Sequence, residues 1–238
     1  MARAETMSSY WRGVRDATPF LIVVIPFAML FGVLATEAGL NVLEALSFSV
    51  VVIAGAAQFT ALQLMMDDAP VWVALGSALA VNLRMAMYSA SITTHLGKIP
   101  MWQRVVAAYF LVDQTYAQSV VEYDRRPDMT LVEKTAYFFG TVTPICIPWY
   151  FATLAGAWVG SAIPPSLGLD FALPIAFLAM IGPLLRTGAH MAAALTAVLL
   201  SLGFAWLPFN LGLIVGGIGG MIAGARVELI LARRGIKV

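Results

Sequence analysis

Arg84 stands in the run Val81-Asn82-Leu83-Arg84-Met85-Ala86-Met87-Tyr88-Ser89, inside an apolar segment from about Pro70 to Thr93 that is long enough to cross a bilayer. A guanidinium at that depth cannot shed its proton, and on mild insertion scales its burial costs about 2.5–3.5 kcal/mol. Polar groups must therefore meet it. At about 100° per helical residue, Ser77, Arg84, Tyr88, Ser91 and His95 fall on one face. The chemistry such a face offers is the holding of an anionic group, for instance a substrate carboxylate. The alternative is an ion pair that only fixes helix packing.

A second charge lies in the next apolar segment, within Val112-Asp113-Gln114-Thr115-Tyr116. If the two segments form an antiparallel hairpin turning near Gly97, Asp113 reaches the depth of Arg84, and each relieves the other's desolvation. Burial and a nearby cation act on a carboxylate in opposite senses, so Asp113 is also the candidate for proton coupling. A static pair is the competing reading. Upstream, Ala54-Gly55-Ala56-Ala57-Gln58-Phe59 places Gln58 among small residues, either as a substrate-lining amide next to a backbone unwound at Gly55 or as interhelical glue. Thr141 and Thr143 precede Pro144 and Pro148, which cannot donate to a helix ladder. That pattern predicts a broken helix whose freed carbonyls join the two hydroxyls in a midplane site; a repaired kink is the alternative.

The elements that position these residues follow from composition. The chain has 238 residues, 61% of them hydrophobic and 11% charged, against about 25% charged in soluble domains. The expected fold is an all-α polytopic transmembrane helix bundle of about eight spans, with seven as the alternative and at least one broken helix. Residues 1–19 form a cytoplasmic or interfacial segment. Residues 20–225 form the transmembrane domain, and 226–238 form a basic cytoplasmic tail. The spans are centred on 20–36, 45–66, 70–93, 105–122, 131–158, 171–185, 190–206 and 209–225. With eight spans the terminal side collects most of the 14 basic residues, leaving Lys98 and Arg104 opposite, so both termini are placed in the cytoplasm.

In the last span Gly212, Gly216, Gly220 and Gly224 recur every fourth residue, a stripe for close helix packing within the chain or against another copy. A net charge of +1 gives no basic face for nucleic acid. No phosphate-binding loop, zinc-peptidase motif or Cys/His cluster occurs, so no enzyme activity, metal or cofactor is expected.

Three stretches carry a family resemblance. Gly13-Val14-Arg15-Asp16-Ala17-Thr18-Pro19 with Ile25-Pro26-Phe27 resembles an N-terminal signature, Ala54-Gly55-Ala56-Ala57-Gln58-Phe59 an AGxxQF motif, and Asn82-Leu83-Arg84 with Tyr88-Ser89 an NLRxxLYS motif. Together they are similar to the AzlC-type large subunits of branched-chain amino acid exporters, over about residues 13–190. Met85 stands where members often have His, and Gln114 where they have an acidic residue. The resemblance implies export of branched-chain amino acids across a prokaryotic inner membrane, with a small AzlD-like membrane subunit as partner. It adds Asn82 and Tyr88 to Arg84, Gln58, Asp113, Thr141 and Thr143 as substrate-binding candidates. A transporter or channel for another solute and a non-transporting scaffold subunit are the alternative functions.

Overall fold

The computed structural model describes residues 2–162, 185, 187–208 and 211–233. Among them every regular element is helical. The helices are α1 (Ala2–Ala17), a 3-10 turn (Thr18–Phe20), α2 (Leu21–Glu37), α3 (Val42–Val51), α4 (Gly55–Met66), α5 (Val71–Leu96), α6 (Met101–Tyr109), α7 (Asp113–Arg125), α8 (Leu131–Gly160), α9 (Gly188–Gly203) and α10 (Leu211–Arg233). The stretches Glu5–Glu37, Val71–Leu96, Leu131–Gly160 and Leu211–Arg233 are long and apolar enough to span a membrane. The span expected at 171–185, the Pro164-Pro165 loop, Arg186 and the last basic residues of the tail lie outside the described residues.

Contacts divide the chain into two units. The first holds α1 to α4, α5 from Ala74 onward and α6 to α8, and it is organised around α8. Thr130 and Glu133 form the capping box that starts α8: Glu133 N–H donates to Thr130 Oγ1, while Thr130 N–H donates to Glu133 Oε2 at 2.8 Å. The helix then runs unbroken to Gly160 through Pro144 and Pro148. The predicted break at those prolines is therefore not where the backbone opens. Packing overrides the local signal, because α8 is flanked along its length.

Gly13 of α1 meets Tyr137 and Gly140, and Gly140 in turn meets Tyr10, at distances no side chain would permit. Gly32 of α2 meets Thr153 and Ala157, Gly156 meets Met29, and Gly160 meets Val33 and Thr36. Contacts along α8 ascend with both α1 and α2, from Tyr10 and Gly13 at residues 137–140 to residues 29–36 at 153–160, so the chain keeps its course through Thr18–Phe20. Small residues here let backbones approach, as lipid-embedded helices require.

Two expected spans are split. The one expected at 45–66 is α3 and α4 with Val52, Ile53 and Ala54 non-helical between them; Val52 has β-region φ/ψ of −129° and 92°. The one expected at 105–122 is α6 and α7, parted at 110–112. Ile53, Leu111 and Val112 all sit in one apolar core with Ile145, Cys146 and Trp149 of α8. Interrupted backbone at membrane depth is tolerated only when buried in protein or lining a cavity, and these residues meet the first condition.

In the second unit, α9 and α10 pack face to face. A Cβ on Gly212 would meet Phe204, on Gly216 Ser201 and Ala197, on Gly220 Ala193 and Ala197, and on Gly224 Ala193. The glycine stripe is consumed within the chain, against an antiparallel neighbour. Helix α10 continues to Arg233, past the expected end of that span at Ala225.

Candidate functional site

Asp113 is the first helical residue of α7, placed there by the break at 110–112. A carboxylate at that position is favoured by the helix dipole. Thr115, fully buried, closes the break: Val112 N–H donates to its Oγ1 at 2.9 Å, and the hydroxyl donates back to the Phe110 and Val112 carbonyls at 3.0 Å. Sequence reasoning missed Thr115, although a hydroxyl two residues after an intramembrane carboxylate is the available signal.

Arg84 Nη1 lies 2.8 Å from Asp113 Oδ2, and the two side chains keep 30% and 39% of their surface. Each also holds a buried atom with no partner among the described residues: Arg84 Nε, a donor, and Asp113 Oδ1, an acceptor. The pair thus makes one close contact, Nη1 to Oδ2, and neither Nε nor Oδ1 makes a hydrogen bond among the described residues. Tyr88 stacks on Tyr116, with centroids 4.3 Å apart and planes at 12°, and its hydroxyl faces Asp113. Tyr116 OH donates to Ser91 Oγ at 3.0 Å. Further along, His95 packs on Tyr123 at 5.0 Å, and its Nδ1 lies 3.5 Å from Lys134 Nζ. The face of Arg84, Tyr88, Ser91 and His95 is therefore turned to protein.

These pairs ascend together in both helices, so α7 runs parallel to α5. The antiparallel hairpin expected between the third and fourth spans is wrong in direction. The break at 110–112 turns the chain, so α6 travels back from the end of α5 and α7 returns beside it. Arg84 and Asp113 still meet, because the turn falls at their common depth. The ends of α5 and α7 then lie with the start of α8, which puts Lys98 on the side of Arg125, Arg126 and Lys134 and not opposite them.

The two breaks are joined. Tyr109, the last residue of α6, donates its hydroxyl to the Val50 carbonyl at the end of α3, and it lies 2.8 Å from Tyr150 Oη of α8. Nothing in the sequence around Tyr109 singles it out from other aromatic residues. Gly55 opens α4 beneath the rings of Phe27 and Trp149, and a Cβ there would lie 2.6 Å and 2.9 Å from them.

The sequence-predicted residues Gln58, Thr141 and Thr143 have other partners. Gln58 is fully buried and reaches back across the first break, its Nε2 donating to Ser49 Oγ at 2.8 Å; Ser49 is 3.1 Å from Thr153 Oγ1. It ties two half-helices to α8. Thr141 donates to the Phe138 carbonyl and Thr143 to the Phe139 carbonyl, within α8; Thr143 also bonds Tyr10 Oη at 2.8 Å. With α8 unbroken, both hydroxyls bond carbonyls of their own helix.

Asn82 stands about 200° round α5 from Arg84, and its Oδ1 is buried without a partner among the described residues. Its stripe continues through Ser89 to Leu96. Those two residues border a largely apolar cavity of about 260 Å³ that is also lined by Ile92, Ala107, Leu111 and Phe138.

A family model described as "AzlC protein" matches residues 19–163, more than half of the chain. Three relatives are similar over most of their length. The "Inner membrane protein YgaZ" of Escherichia coli strain K12 is 25% identical over 75% of this chain and 74% of its own. An "Uncharacterized membrane protein" of Archaeoglobus fulgidus is 27% identical over 88% of this chain and 91% of its own. Another of that description, from Helicobacter pylori strain J99, is 26% identical over 73% and 76%. No solved structure matches the chain.

Proposed function

The chain belongs to the AzlC family, and on that premise we propose that it is a secondary transporter exporting branched-chain amino acids across a prokaryotic inner membrane, as the large subunit of a permease whose small subunit is AzlD-like. The observation that carries this is the pair of Arg84 and Asp113. A zwitterion needs a donor for its carboxylate and an acceptor for its ammonium, and the buried Arg84 Nε and Asp113 Oδ1 are one of each. The substrate inserts between the two side chains, exchanging one internal ion pair for two with itself. Charge is then balanced both with and without substrate, which lowers the desolvation penalty of a loaded carrier.

The aliphatic side chain is assigned to the stacked Tyr88 and Tyr116 rings beside the pair. Parted helices meeting at midplane suit alternating access, since half-helices can tilt without breaking their own ladders. Tyr109 then couples the two openings. In this reading the protein makes and breaks no covalent bond. The side bearing Arg12, Arg15, Lys98, Arg125, Arg126 and Lys134 is assigned to the cytoplasm by its positive charge.

The test is efflux of labelled leucine from proteoliposomes containing the purified chain, with and without the small subunit, under an imposed pH gradient. Leucine efflux that unlabelled valine and isoleucine compete for is the expected result. Efflux of other solutes only would overturn the substrate assignment.

A further inference from the structure

A second polar centre lies away from the central pair, where α1, α7 and the start of α8 meet. Glu122, 4% exposed, receives two guanidinium groups: Arg12 Nε at 2.9 Å and Arg126 Nε at 3.3 Å from its Oε1. Asp16 accepts from Tyr137 OH at 2.9 Å. Arg12 also sits 5.9 Å from the centroid of the Tyr137 ring. The two carboxylates are thus already engaged. Arg15 and Arg125 face the same cavity, of about 450 Å³, and carry no ion pair among the described residues. Four arginines line the cavity against two carboxylates, and Glu133 nearby offsets part of the excess, so the lining keeps a net positive charge. Trp11, 60% exposed, stands at the rim.

Self-repulsion among four guanidiniums is costly unless an anion is close. The cavity lies at the boundary level of the bundle, beside the polar Glu133-Lys134 turn that opens α8. Basic pockets between helices at that level, with an indole at the rim, are the arrangement that meets anionic headgroups. Planar guanidinium forks match phosphate oxygens two at a time.

We infer that the cavity between α1 and α7 binds a phosphate group, held by Arg15 and Arg125 and flanked by the Arg12–Glu122–Arg126 cluster. The phosphodiester of an anionic phospholipid fits best, since Trp11 can lie at the glycerol level while the arginines reach the headgroup. The site is independent of the amino-acid assignment, because it shares no residue with the central pair. Bound there, the phosphate bridges α1 to the C-terminal end of α7, the helix that carries Asp113 at its other end.

Delipidated protein in neutral detergent tests this by native mass spectrometry and thermal unfolding, with added phosphatidylglycerol, phosphatidylcholine or inorganic phosphate. Phosphatidylglycerol is expected to be retained at least tenfold over phosphatidylcholine and to raise the melting temperature. The double variant Arg15→Gln/Arg125→Gln leaves both Glu122 pairs in place and loses the preference, Arg15→Gln alone weakens it, and Lys98→Gln does not change it. Inorganic phosphate that protects the wild type and competes with the lipid identifies a free phosphate as the source; lipid binding untouched by phosphate identifies the headgroup. Equal retention of both lipids with no effect of phosphate overturns the inference. So does a preference that survives in a folded double variant.

Discussion

Arg84 and Asp113 lie 2.8 Å apart on two helices that run in the same direction. Consecutive apolar segments joined by a short turn would run in opposite directions. The parallel course arises because α6 and α7 are two half-helices, and Asp113 is the residue at which the chain starts its return. The central pair and the interrupted backbone are therefore one feature.

Removing one partner of this pair leaves the other charge half-buried. Asp113→Asn is expected to lower unfolding stability by about 1–3 kcal/mol, between the values for exposed and buried pairs. Thermal unfolding in detergent measures it. Arg84→Gln combined with Asp113→Asn should recover part of that loss, and a fully additive double variant would show that the pair is not coupled.

Tyr109→Phe keeps the ring and deletes the hydroxyl that links the α6 end to Val50 and Tyr150. Loss of that link is expected to cost about 1 kcal/mol of stability. If the two breaks move together, it should slow leucine efflux several-fold with little change in the concentration dependence. Efflux kinetics in proteoliposomes decide this, and an unchanged maximal rate counts against coupling.

Gln58 straps the first break through its Nε2. Ser49→Ala strands the Gln58 amide in the core and should cost about 1–3 kcal/mol. Adding Gln58→Leu removes the stranded group and should restore much of the loss. A double-variant cycle by thermal unfolding reads the coupling, and Gln58→Leu alone should leave leucine binding within a few-fold of wild type.

Close backbone contact makes some glycines intolerant and leaves others free. A Cβ on Gly156 would lie 2.0 Å from the Met29 carbonyl, and one on Gly220 2.7 Å from the Ala193 carbonyl, whereas Gly217 has nothing within 4 Å. Gly156→Ala and Gly220→Ala are expected to reduce the yield of folded protein, and Gly217→Ala to be neutral or slightly stabilising. Size-exclusion profiles after detergent extraction distinguish the two outcomes. Because the stripe on α10 is filled by α9, the same substitutions should not act by releasing a partner subunit.

Much of this was legible in the residues. Two opposite charges in apolar segments had to find each other, and Arg84 and Asp113 do. The four-residue glycine spacing predicted close packing, and α9 provides it. The backbone was harder to read, for a physical reason. Pro144 and Pro148 are strong local breakers, yet α8 passes through them because α1 and α2 clamp it at Gly13, Gly32, Gly140 and Gly156. Phe110, Leu111 and Val112 carry no breaker, yet the chain opens there because Thr115 supplies the missing backbone bonds and Asp113 is drawn to Arg84. Likewise Gly55 marked its break, while Tyr109, which joins the two breaks, shows itself only when distant segments are folded together.

The most direct measurement is binding and efflux of labelled leucine by wild type and Arg84→Ala, reconstituted at matched levels of inserted, monodisperse protein. At least a hundredfold loss of efflux and no saturable leucine binding are expected in the variant. Leucine binding and efflux at wild-type levels in Arg84→Ala would contradict it.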